Sequence, residues 1–170
     1  GAGYGVSLDI DRKMTTSLLG FDRVQKNCIY CGNSRGKIAS HVLNALSGCA
    51  LVLNRIASDL LIFTTKEFNF FSIKDDIATG SSIMPQKKNL DVLELVRGKT
   101  HAILSNEHQI KSIISNLPSG YNRDYQETKR LTIESFALID QMIAVVELVF
   151  QSIKPNEKRL LSAFNKEIFS

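Results

Sequence analysis

Between residues 79 and 89 the chain reads Thr79-Gly80-Ser81-Ser82-Ile83-Met84-Pro85-Gln86-Lys87-Lys88-Asn89. A glycine and two serines give a conformationally free backbone with small hydroxyls. Two lysines and an asparagine follow, just ahead of a helical pattern that begins near Asp91. A helix N-terminus attracts anions, and ammonium groups beside it strengthen that attraction. Such a loop can stabilise negative charge on a bound ligand or on an intermediate. On composition alone, a solvated loop before an ordinary helix cap is the better account.

Other reactive residues point to less. Cys28-Ile29-Tyr30-Cys31 is a C-x-x-C, but no second Cys/His pair follows at zinc spacing and no βαβ pattern surrounds it. Two reduced cysteines and no metal are expected, with Cys49 in the core. Gly1-Ala2-Gly3-Tyr4-Gly5 has the wrong spacing for a nucleotide loop and no strand before it. His41 falls on a helix flank and His101 and His108 on exposed helical surface, so none is assigned a catalytic part. Phe68, Phe70 and Phe71 read as core packing.

The elements that must position the loop are helical. Apolar residues recur every three or four positions from 35 to about 67, through Ile38, Val42, Leu46, Val52, Ile56, Leu60 and Phe63. Like patterns run from Asp91 to about 115 and from Arg123 to about 153, with a short helix restarting after Pro155 and another across 11–19. No period-two run is long enough to build a sheet. A helix of about 33 residues measures ~50 Å, longer than the ~40 Å diameter of a compact globule of this size. Runs such as Ala50-Leu51-Val52-Leu53 and Phe136-Ala137-Leu138-Ile139 make the helices apolar on most sides. The spacing therefore predicts an all-α fold: an elongated bundle of long helices whose remaining apolar faces are covered by other subunits.

Composition sets outer bounds. With 170 residues, the chain is one domain or a slice of a larger one. The excess of 21 Lys and Arg over 17 Asp and Glu is spread along the chain and does not imply a nucleic-acid partner. No apolar run approaches the ~18 residues of a membrane span, and no signal peptide is read. Three cysteines give no secreted disulfide framework, so a reducing, cytoplasmic setting is expected. The chain opens Gly1-Ala2-Gly3 without methionine. We expect residues 1–170 to be a single central helical domain fragment, with upstream and downstream domains incomplete or absent.

The loop string resembles the signature of the fumarase/aspartase superfamily, G-S-S-x-M-P-x-K-x-N, and is too long to match by chance. Within that superfamily, Gln86-Lys87-Lys88-Asn89 resembles the argininosuccinate lyase branch. So do Leu93-Glu94-Leu95-Val96-Arg97-Gly98-Lys99 and the stretch from Leu117-Pro118-Ser119-Gly120-Tyr121 to Gln126-Glu127-Thr128-Lys129. The opening Ala2-Gly3-Tyr4-Gly5 and Leu18-Leu19-Gly20-Phe21 fit the same branch, so the resemblance runs from the start to about Lys129.

The resemblance implies a lyase that cleaves argininosuccinate to arginine and fumarate by anti β-elimination, in arginine biosynthesis, with no cofactor. Ser81 corresponds to the catalytic serine, a hydroxyl that needs nearby cations and donors to act as a base. Lys87 and Asn89 correspond to residues that hold the carboxylate and the intermediate, with Ser82 beside them in the substrate site. Glu94 corresponds to a glutamate that orients a histidine from another segment. Tyr121, Gln126 and Lys129 correspond to substrate-binding positions. The last two are three apart and share a helical face. The family also implies a homotetramer with active sites shared between subunits and a small-molecule substrate, without nucleic acid or membrane. Two alternatives stand beside this reading. One is a non-catalytic structural homologue or scaffold, as in lens δ-crystallins. The other is a sister fumarate-releasing lyase such as adenylosuccinate lyase.

The chain departs from the family pattern in places. Leu90 stands where the family has a proline, which should loosen the start of the next helix. Asn33-Ser34-Arg35-Gly36-Lys37 replaces a Ser-Asp-Arg-Asp-like string, leaving Arg35 either an anion contact or a solvated charge at a helix start. The family's His-Thr-x-x-Gln type string is not in the chain, so the fragment alone is expected to be inactive. Residues 79–89 are expected to be mobile, with few buried contacts to hold them.

Overall fold

The computed structural model describes residues 4–73, 79–80 and 88–164. Helix α1, Arg12–Leu18, is capped by Asp11, whose carboxylate accepts from the N–H groups of Lys13 and Met14. It buries no side chain. Helix α2, Cys28–Phe63, is 36 residues long, about 54 Å at 1.5 Å per residue. It starts seven residues earlier than the apolar spacing predicts. Asn27 supplies the cap, accepting from the Tyr30 N–H at 3.0 Å. The C-x-x-C and Arg35 therefore lie inside the helix. Gly32 and Gly36 stay helical although glycine there costs about 1 kcal/mol relative to alanine; a side chain at Gly36 would clash with a neighbouring segment, and one at Gly32 would be tightly packed.

Helix α3, Asp91–Ile114, and helix α4, Glu127–Ser152, complete the bundle, with a 3₁₀ turn at Arg123–Gln126 leading into α4. The three long helices each touch the other two. One core cluster joins Ala50, Ala57 and Leu60 of α2 to Leu93, Val96 and Ile103 of α3 and Ile139, Met142, Val146 and Val149 of α4. A second joins Leu43, Ile110 and Leu131. These pairings make α3 antiparallel to both neighbours. Within α2 the buried stripe takes Ser47 and Ala50, which turns Cys49 outward; the expectation that Cys49 is core is corrected.

The predicted elongated all-α bundle is what forms, with one correction. Among the described residues two short antiparallel pairings occur, too brief for any periodicity to show. Strand β1, Phe71–Ile73, pairs with β4, Ile153–Pro155, and β2, Thr79–Gly80, pairs with β3, Lys88–Asn89. Ahead of β1, the rings of Phe63, Phe68, Phe70 and Phe71 cluster with centroids 5.6–6.4 Å apart. Phe68 remains exposed, so this is an edge cluster and not deep core. The short helix α5, Glu157–Ala163, buries nothing itself but sends Arg159 to the carbonyls of Phe68 and Glu67 at 3.0 and 2.9 Å.

Large apolar side chains remain exposed on the bundle, among them Leu51, Val52, Leu95, Ile133, Phe136 and Phe150. By length and composition alone α2 is also apolar enough to cross a membrane. It carries Arg35, Lys37, Arg55 and Asp59, however, and buries Leu43, Ala50, Ala57 and Leu60 against α3 and α4.

Candidate active site

The sequence-predicted site residues that the structure describes divide between the two ends of the bundle. At one end, β2 and β3 pair Thr79 with Asn89 and Gly80 with Lys88. Facing Cα atoms in such a ladder lie ~4.5–5.5 Å apart, so both ends of the signature segment meet at the start of α3. Leu90 follows as the cap residue of α3 without a side-chain hydrogen bond. The sequence reading expects the missing proline to loosen this start. Leu90 is instead only 2% exposed and joins the main core cluster, which ties the helix start down by burial. Ser81, Ser82 and Lys87 lie outside the described residues, as does the side chain of Asn89. Glu94 is exposed in the first turn of α3, where it lines a surface depression with Arg97, Gly98 and His101. His41, His101 and His108 are exposed on helices, as expected.

At the other end, the turn between α3 and α4 is seated on the first turns of α2. Gly120 has φ +111°, a conformation open to glycine, and its N–H donates to Asn33 Oδ1 at 2.7 Å. The Tyr121 N–H donates to the Tyr4 hydroxyl at 3.0 Å. Asn122 closes the turn by donating from Nδ2 to the Pro118 carbonyl at 2.8 Å. A Cβ on Gly32 would stand 3.3 Å from the Gly120 carbonyl carbon, and one on Gly36 would meet Ile114 and come within 3.2 Å of the buried Tyr125 ring. Two glycines one helical turn apart thus let the turn lie against α2.

This seating brings Arg35, Tyr121 and Gln126 together. The Arg35 guanidinium carbon lies 5.2 Å from the centroid of the Tyr121 ring. Gln126 Nε2 donates to the Tyr121 hydroxyl at 3.1 Å. That hydrogen bond holds the Tyr121 phenol below its usual pKa range against a smaller effect of desolvation, with the charges of Arg35 and Arg123 adding to it. Lys129 is exposed in the first turn of α4. Gln126 sits at the junction of the 3₁₀ turn and α4, so the shared helical face expected of Gln126 and Lys129 spans that junction. Arg35 is not a solvated charge at a helix start, since α2 begins at Cys28. Sequence reasoning missed its stacking, as well as the parts of Asn33, Gly32 and Gly36. The four-residue glycine spacing was the available signal.

The two groups stay apart within one chain. From Glu94 to Ile114 at the end of α3 are about 20 residues, hence ~30 Å of helix.

Comparison with known proteins supplies the context. A family described as Lyase matches residues 1–105. The chain belongs to this lyase family. Its relatives include a protein of Thermotoga neapolitana named argininosuccinate lyase, 40% identical over 170 residues, which span 100% of this chain and 43% of the relative. A protein of Aquifex aeolicus with the same name is 42% identical over 166 residues, covering 96% of this chain and 35% of that one. Among solved lyase structures, EDDS lyase in complex with formate superposes with a TM-score of 0.63 at 26% identity, over 93% of this chain and 31% of that chain. The chain thus spans less than half the length of the curated relatives it matches. The fumarase/aspartase resemblance, traced by motif to about Lys129, extends in the Thermotoga relative over the whole chain.

Proposed function

We propose that this chain is part of a lyase that cleaves argininosuccinate to arginine and fumarate in arginine biosynthesis, in the cytoplasm. Similarity along the entire chain to relatives named argininosuccinate lyase carries this reading. In the reaction a base removes the proton beside a carboxylate, the electron pair is held as a doubly charged carboxylate-stabilised carbanion, and the C–N bond breaks as an acid protonates the departing guanidino nitrogen. Ser81 is the proposed base. Lys87, Asn89 and Ser82 are assigned to the developing negative charge, where fixed cations and donors contribute most to rate. Glu94 is assigned to orienting a histidine supplied by another segment. Tyr121, Gln126 and Lys129 are assigned to the substrate.

The ~30 Å between Glu94 and the Tyr121 turn supports a site shared between subunits. No small amino-acid conjugate bridges that distance, and in this reading a second copy brings its Tyr121 end to the Glu94 end of the first. The exposed apolar faces of α2, α3 and α4 offer the surface for such contacts. A homotetramer is the assembly proposed, and the 170-residue chain by itself is expected to be inactive. The test is to incubate the product of the full natural reading frame with argininosuccinate and, separately, with adenylosuccinate. Equimolar fumarate and arginine from the first and nothing from the second support the reading. Fumarate from adenylosuccinate alone, or from neither, overturns it. Light scattering that shows only monomer overturns the shared site.

A further inference from the structure

Tyr121 is fixed from several sides. Its backbone N–H is held by Tyr4, the preceding residue is held by Asn33, and its hydroxyl is held by Gln126. One consequence lies in the direction of that last hydrogen bond. Because Gln126 Nε2 donates, the phenol oxygen is the acceptor there, and its own hydrogen is left for an acceptor elsewhere. Tyr121 is 41% exposed, so the hydroxyl can reach a ligand. Arg35, half-buried two turns along α2, lies within the ~6 Å at which a guanidinium is attracted to an aromatic face.

We propose that Arg35 is a positioning residue of the substrate site. By stacking on the Tyr121 ring it holds the phenol turned as a hydrogen-bond donor toward a carboxylate of the substrate. Arg35 acts through Tyr121 and does not itself bind the carboxylate. The inference rests on the lyase reading above.

The test is a double-mutant cycle in the full-length enzyme, with KM and kcat for argininosuccinate as readouts. Arg35→Gln should raise KM about two- to fivefold, the range of an exposed cation–π contact, with kcat little changed. Arg35→Lys should recover most of that loss, because an ammonium also binds a ring face. In a Tyr121→Leu background, Arg35→Gln should add nothing further. If the two changes multiply, Arg35 contacts substrate directly and the inference falls. It also falls if Arg35→Gln lowers kcat and thermal stability together, since the role is then structural. Should Arg35→Gln fail to fold, Arg35→Lys closes the cycle, and an effect of that change surviving in the Tyr121→Leu background overturns the inference. A wild-type enzyme without turnover removes the functional reading and this inference together, whereas turnover with multiplicative effects removes this inference alone.

Discussion

Replacing Gly36 by alanine sets two effects of known size against each other. Alanine in a helix interior is favoured over glycine by about 1 kcal/mol, so an uncrowded site would gain stability. At Gly36 the added methyl runs into the Ile114 side chain and lies 3.2 Å from two carbons of the Tyr125 ring. Ile114 is β-branched and stiff at χ1, and Tyr125 is only 6% exposed, so neither yields easily. Overpacking of this kind costs about 1–3 kcal/mol. The upper part of that range applies here, and the net expectation is a loss of about 1–2 kcal/mol. The strain should reach the site as well, since Tyr125 lies between Tyr121 and Gln126 in sequence and pushing it off α2 moves both. Thermal and urea unfolding midpoints of the full-length Gly36→Ala variant should therefore fall while KM rises. Trimming Ile114 to alanine in the same variant should return part of the stability. A Gly36→Ala protein as stable as its parent, or more so, refutes the close approach on which the seating of the turn depends.

Leu90→Ala should cost about 2–4 kcal/mol, as for other buried leucines, and should lower turnover because Leu90 anchors the segment where β3 enters α3; unfolding midpoints and kcat check both. Glu107 is nearly buried; burial raises its pKa, but the Lys111 ammonium outweighs this and holds the carboxyl below its ordinary value of 4.5. A depressed folded pKa means that this stabilisation is complete above 4.5 and is lost as pH falls through the folded value, so the thermal midpoint should drop on acidification below that point and drop less steeply in Glu107→Gln.

The long helices were legible because burial on one side repeats every three or four residues, and the stripe Leu43, Ser47, Ala50, Ala57, Leu60 is the one that faces the core. The start of α2 was not legible, because two glycines normally argue against a helix and are excused here only by tertiary contact with Gly120 and Tyr125. The β1–β4 and β2–β3 pairings escaped notice for lack of length: three and two residues leave no period to read. Tyr121 and Gln126 were named through their resemblance to a family, and the structure places them in hydrogen-bond contact. The stack of Arg35 on Tyr121 joins residues 86 positions apart in the chain, and no local pattern records it. Likewise, the separation of Glu94 from Tyr121 follows from the length of α3, a consequence visible only once the turn after it is seen to sit at the far end of the bundle.

The central claim is that the Ser81 loop performs the proton abstraction of an argininosuccinate-cleaving lyase. Its most direct test is steady-state fumarate release from argininosuccinate by the full-length protein and by its Ser81→Ala variant. The account predicts turnover by the parent and a fall in kcat of about 10²–10⁴-fold in the variant, with substrate affinity nearly unchanged, because a proton-transfer group is removed and not a main binding contact. Near-normal turnover by Ser81→Ala, or no fumarate from the parent, contradicts it.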